Sequence, residues 1–126
     1  MNGEFTIPVY YEDTDFTGYV YHANYLKFFE RAREELFGRQ RLKEMFESGK
    51  HFVVKEVQVT YHKPARHGDE LIIKSRLAFD HAVVVNCHQT VLRSSDGEKL
   101  VSGLIQLVTI NERGFPVRLP SEFALS

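Results

Sequence analysis

One stretch of this chain reads as a long helix, and nearly everything after it reads as strand; that imbalance limits what the chain can fold into. From Ala23 to Phe37, residues Tyr25, Phe28, Phe29, Ala32 and Leu36 fall at relative positions 0, 3, 4, 7 and 11 and form one broad apolar face. Asn24 is placed to cap the first turn and Gly38 to end the helix. A weaker helical piece over Arg39–Glu47 carries Leu42, Met45 and Phe46 and closes at Ser48 and Gly49. Before the helix, Phe5, Ile7 and Val9 alternate with Thr6, Pro8 and Tyr10, which predicts a short strand over Phe5–Tyr11 with Pro8 at an edge or bulge. An irregular acidic turn, Glu12–Gly18, joins strand to helix, and Gly18 suits an unusual backbone angle there. Later, Phe52–Tyr61 is rich in valine, and Leu71, Ile73, Leu77 and Phe79 alternate with polar residues. Ala82–Arg93 and Lys99–Asn111 are long β-branched stretches around the turn Ser94–Gly97.

Several strand positions are apolar on both faces, among them Val84, Val85, Leu104, Ile105 and Leu107. A single helix covers one face of a sheet only. The predicted class is therefore α+β, a curled antiparallel sheet wrapped around one long central helix, with the other face and the edge buried in a homo-oligomer. The 126 residues suffice for one core and no linker or repeat divides them, so a single domain over 1–126 is expected. A composition of 43% hydrophobic and 26% charged residues excludes a disordered chain. A net charge of -1 without a basic stripe argues against a nucleic-acid partner. The single cysteine, Cys87, lies inside a predicted strand and reads as a small buried hydrophobe rather than a nucleophile. The first residues lack a basic-then-apolar leader, and no apolar run approaches the roughly 20 residues of a membrane span. A cytoplasmic location and no membrane span are the expectation.

The chemistry-bearing side chains concentrate between Val9 and Arg33, where Tyr11, Asp13, Asp15, His22, Asn24 and Glu30 surround the strand-to-helix turn. Carboxylate, imidazole and phenol placed together can serve acid–base or nucleophilic chemistry. The helix start beside them offers unpaired backbone N–H groups and a positive dipole end, suited to a developing oxyanion. The Asp13-x-Asp15 pair with His22 lacks the further ligands a metal would need, so no metal is expected. A Gly-x-Ser-x-Gly elbow is absent, which removes the α/β-hydrolase route to ester cleavage.

The pattern Tyr11-Glu-Asp-Thr-Asp15, Gly18, Val20-Tyr-His22, Asn24-Tyr25 and Phe29-Glu-Arg-Ala-Arg33 resembles the motif of the 4-hydroxybenzoyl-CoA thioesterase-like hotdog family. The likeness is greatest to its Tol–Pal-associated acyl-CoA thioesterase branch, and Val59-Thr-Tyr-His-Lys-Pro-Ala-Arg66 is a second match. The resemblance implies a hotdog fold and hydrolysis of an acyl-CoA or acyl-carrier-protein thioester. It implies no cofactor beyond the coenzyme A of the substrate, and a dimer or tetramer. Asp15 would be the catalytic carboxylate, as nucleophile or as base toward water, while the His22 amide polarises the thioester oxygen. The His22 side chain and Tyr11 match positions that orient the carboxylate or assist the leaving thiolate. Asn24 and Tyr25 are expected at the substrate site, although Tyr25, Phe28 and Phe29 serve equally as core. Lys63, Arg66 and His67 form the best cation cluster for the nucleotide phosphates of coenzyme A.

Plainer roles compete. Asp15 can cap a turn, Asp13 reads as structural, and Glu30 as an ion-pair or helix-face residue. The turn Phe79–Ala82 is acidic where a phosphate would want a cation, which leaves room for an acyl carrier protein. The alternative functions are a non-catalytic acyl-thioester-binding hotdog module and a hotdog hydroxyacyl-thioester dehydratase.

Overall fold

A computed structural model describes residues 1–124 of the chain; residues 125 and 126 of the expected 1–126 domain lie outside the described residues. Five strands, β1 (Asn2–Pro8), β2 (Lys50–Tyr61), β3 (Glu70–Ala78), β4 (Val84–Arg93) and β5 (Lys99–Asn111), form one sheet in the order β1-β3-β4-β5-β2. All four pairings are antiparallel. Helix α1 (Asn24–Phe37) lies against β1 and β3, α2 (Arg39–Glu47) follows at once, and a short α3 (Ser121–Ala124) comes near the end. This is the curled antiparallel sheet around one long helix that the hydrophobic pattern predicts.

The face of α1 picked out by its periodicity is the face that is buried. Tyr25, Phe28, Phe29 and Ala32 meet Leu71, Ile73, Val85 and Val91 of the sheet in the core, and Leu36 packs at its margin. Phe29 comes so close to β5 that a Cβ built on Gly103 would sit 2.9 Å from its ring, so only glycine fits there. A buried polar cluster ties the same helix down. The Gln89 side-chain amide donates to the Phe29 carbonyl (3.0 Å) and to Ser75 Oγ (2.9 Å), and its oxygen accepts from the Arg33 guanidinium (3.0 Å). Gly38 ends α1 as expected, its N–H donating to the Glu34 carbonyl.

Two expectations are corrected. Asn24 is the first helical residue rather than the cap; the cap position is Ala23 and makes no side-chain capping bond. The first strand runs over Asn2–Pro8 instead of Phe5–Tyr11, because the Val9 N–H turns to the Asp69 carbonyl (2.8 Å) and Tyr11–Asp13 coil into a 3-10 turn. Glu30 takes the expected helix-face role, exposed on α1, without an ion pair within 4.0 Å among the described residues.

Cys87 is fully buried, and burial pushes its thiol up to about 12, so it is inert packing. On the face of the sheet away from α1, Ile72, Val84, Leu92, Leu104 and Val108 remain half-buried. No described helix is long and apolar enough to cross a membrane.

Candidate active site

The acidic turn folds into a tight hairpin. Thr14 and Val20 bridge across it, Asp15 N–H donates to the Tyr19 carbonyl (3.0 Å), and Gly18 takes the tip with φ +85°, where a side chain would be strained. Asp13 and Asp15, two residues apart, point to opposite environments. Asp13 is buried and fully occupied: Oδ2 accepts the Tyr10 N–H (2.9 Å) and Oδ1 accepts the Asn24 amide (2.7 Å). It ties the hairpin to the first turn of α1 and is structural.

Asp15 is exposed. Its Oδ1 accepts the Thr17 N–H (2.8 Å) and the Thr17 hydroxyl, while Oδ2 accepts nothing among the described residues. The Thr17 hydroxyl, then the Thr17 amide, hold the Asp15 carboxyl below its ordinary 3.8 against an opposing desolvation. Asp15 is thus an ionised carboxylate at neutral pH, pinned by one oxygen and open at the other.

His22 lies just before α1, close enough for its charge to act on Asp15. Its ring rests against Tyr21 (centroids 4.6 Å apart) and edge-on to Tyr61 (6.3 Å). The Tyr61 hydroxyl donates to the His22 carbonyl (2.8 Å) and so fixes the backbone at the helix start. The His22 N–H finds no acceptor among the described residues, so a donor stands free at the positive end of α1.

The remaining candidates separate. Tyr11 is 82% exposed, with its ring 6.2 Å edge-on to His67, and makes no hydrogen bond to Asp15. Arg66 joins the hairpin: its guanidinium lies 5.2 Å from the Tyr19 ring centre and donates to the Tyr19 hydroxyl (3.3 Å). Lys63 is drawn off to Glu98 (2.7 Å), which splits the expected cation cluster. Tyr25 is 2% exposed and its hydroxyl accepts the Ala65 N–H (3.2 Å), so it belongs to the core. Thr17 and Tyr61 are the site-shaping residues that the pattern reading did not single out. The Asp-x-Thr spacing of a side-chain-closed turn signals the first; only the second motif, which contains Tyr61, hints at the other.

With the geometry in place, comparison with known proteins is informative. Residues 9–125 match the thioesterase-like superfamily. The acyl-CoA thioester hydrolase YbgC of Escherichia coli is 32% identical over 126 residues, covering 93% of this chain and 92% of that protein. The acyl-CoA thioesterase YbgC of Helicobacter pylori is 46% identical over 69 residues, 55% of this chain and 51% of that protein, so this match spans about half of the relative's length. Among solved structures, a probable thioesterase from Bartonella henselae superposes with TM-score 0.85 at 34% identity, covering 95% of this chain and 100% of that one. A 1,4-dihydroxy-2-naphthoyl-CoA thioesterase from Synechocystis has TM-score 0.91 at 19% identity, over 98% of this chain and 93% of that one, a likeness of fold.

Proposed function

The chain belongs to the thioesterase-like superfamily, and on that premise we propose that it hydrolyses acyl-CoA thioesters with Asp15 as the reacting carboxylate. Its fold is the hotdog fold that the motif implied. The observation that carries the reading is the pairing of an exposed, ionised Asp15, one oxygen open, with the unengaged His22 N–H at the start of α1.

In this reading the thioester oxygen sits on the His22 amide, where a developing negative charge meets a hydrogen-bond donor and the helix dipole. With one oxygen open toward the thioester, Asp15 attacks directly in this reading. The open Asp15 oxygen adds to the carbonyl carbon, the C–S bond breaks, and the thiolate leaves with the electron pair. Water then cleaves the mixed anhydride to the free acid and regenerates Asp15. The His22 imidazole stands beside this chemistry to orient the carboxylate, and Arg66 beside the hairpin is the better placed of the two expected cations for a phosphate. Asn24 supports the hairpin rather than touching the thioester, since its amide is spent on Asp13.

The same proposal includes self-association in a cytoplasmic homo-oligomer. β2 is a twelve-residue edge strand with Val53, Val54, Val57 and Tyr61 exposed, a surface a second copy would cover.

The test is thiol release from short, long and aromatic acyl-CoAs by wild type and Asp15→Asn. Asparagine keeps the shape and removes the charge. Turnover of at least one ester by wild type, with a loss of about a hundredfold or more in a folded mutant, upholds the reading. A mutant that matches wild type makes Asp15 a turn cap and removes the mechanism. Binding without turnover by both proteins would move the chain to the non-catalytic class.

A further inference from the structure

Beside α1 lies a cleft of about 500 Å³ between α1, α2 and β2, floored by Phe37, Leu42, Met45, Phe52 and Leu107. Arg33 forms part of its wall although only 7% of the residue is exposed. A buried guanidinium ordinarily has a carboxylate partner, because an unpaired charge is costly away from water. Arg33 has none within 4.0 Å among the described residues. Among the described residues its one hydrogen bond goes to the neutral Gln89, a residue 1% exposed whose amide is held by Phe29 and Ser75. Burial accordingly pushes the guanidinium down from its ordinary value. The only enclosed side-chain polar atom without a partner among the described residues is Thr109 Oγ1. The Arg33 nitrogens that Gln89 does not take are therefore not enclosed, and the cleft is the cavity that Arg33 lines. Glu30 and Glu34 at its mouth are balanced by Lys27 and Arg31. An apolar floor beside a buried guanidinium, under a rim of mixed charge that includes His51, matches an apolar chain that ends in an anion.

The place of the cleft relative to the reacting groups gives the length of that chain. Val54, on the cleft wall, and Val57 and Tyr61 oppose the buried Leu107, Ile105 and Val101 across the sheet, so all three share its inner face, partly exposed. They form an apolar strip from the His22 end of α1 to the cleft. Arg33 is nine residues beyond the first residue of α1, about 14 Å along the axis. At about 1.2 Å per bond of extended chain, that distance is roughly a dozen bonds.

We propose that the cleft receives the acyl chain and that Arg33 binds a carboxylate at its far end, making medium-chain ω-carboxyacyl thioesters the preferred substrate class. This rests on the thioesterase reading, and two measurements separate the fate of one from the other. The first compares kcat/KM for 11-carboxyundecanoyl-CoA and dodecanoyl-CoA. Wild type should prefer the carboxylated ester, and Arg33→Met, an apolar side chain of similar length, should lower that ratio by at least about tenfold. A ratio below one in wild type, or unchanged in the mutant, overturns the proposal. The second is calorimetric binding of monomethyl dodecanedioate and methyl dodecanoate to wild type, which needs neither turnover nor a folded variant. Binding of the carboxylated ester at least about tenfold tighter upholds the assignment even if no CoA ester is hydrolysed, in which case only the thioesterase reading falls. Equal affinities, or no binding of either, overturn it.

Discussion

Asp15 and Thr17 show how much of the site is decided two residues at a time. The Thr17 hydroxyl is the largest influence holding the Asp15 carboxyl down, and the Thr17 amide the next. Thr17→Val keeps the amide and the branched shape but removes the hydroxyl, so the Asp15 pKa should rise toward 3.8. The rise is read directly from the Asp15 carboxyl carbon in an NMR titration, and no rise would show that the amide alone sets it. A carboxyl whose folded pKa is depressed stabilises the fold above its unfolded pKa, and that contribution disappears as the pH falls through the folded pKa. At this exposed position solvent screening keeps it small. Asp15 was legible because it sits in a long motif. The use of Asn24 was not: a residue type that commonly caps helices is spent on Asp13, eleven positions back, a partner no spacing rule names. Tyr61, which fixes the His22 carbonyl from 39 positions away, escaped for the same reason.

At the scale of elements, α1 is legible because burial and periodicity coincide, and its seat on the sheet is legible only in part. The apolar spacing names Phe29 as buried. It does not say that the Phe29 ring lies over Gly103 or that its carbonyl is held by Gln89. Gly103→Ala tests the ring contact. The added methyl would meet a ring that is 0% exposed and has nowhere to swing, so a loss of about 1–3 kcal/mol is expected, read from the urea midpoint. An unchanged midpoint would mean that α1 shifts on the sheet at little cost. The strands were readable to within about two residues except β1, where a long-range bond from Val9 to Asp69 ended the ladder early. Helix α3 is four residues long, too short for any period to show. It nonetheless places Phe123 in the core against Phe37, Phe52 and Phe79, with Arg41 over the ring at 4.6 Å.

On the whole molecule, the same arithmetic that predicts one helix inside a sheet leaves surfaces the chain does not cover itself. β5 pairs only one edge of β2, and the other edge runs open for twelve residues beside exposed valines. Long apolar edges invite further strands, and chains that stay monomeric usually blunt them with charge, proline or a bulge. Here the blunting is partial. Lys55 and Glu56 mark a register shift against β5, while Val53, Val54 and Val57 flank it. A second copy pairing through this edge would bury those valines under two-fold symmetry, each strand serving as the other's neighbour. Val53→Lys places a charge on that edge away from the core, since Val53 is 38% exposed and opposes Val108 on the outer face of the sheet. If β2 is the contact between copies, sedimentation velocity at micromolar concentration should show the mutant shifted toward monomer by at least about tenfold in dissociation constant, with its thermal transition altered little in the dissociated state. An unchanged sedimentation profile would move the contact to the half-buried outer face of Ile72, Val84 and Leu104, because that is the other apolar surface the strand pattern leaves open.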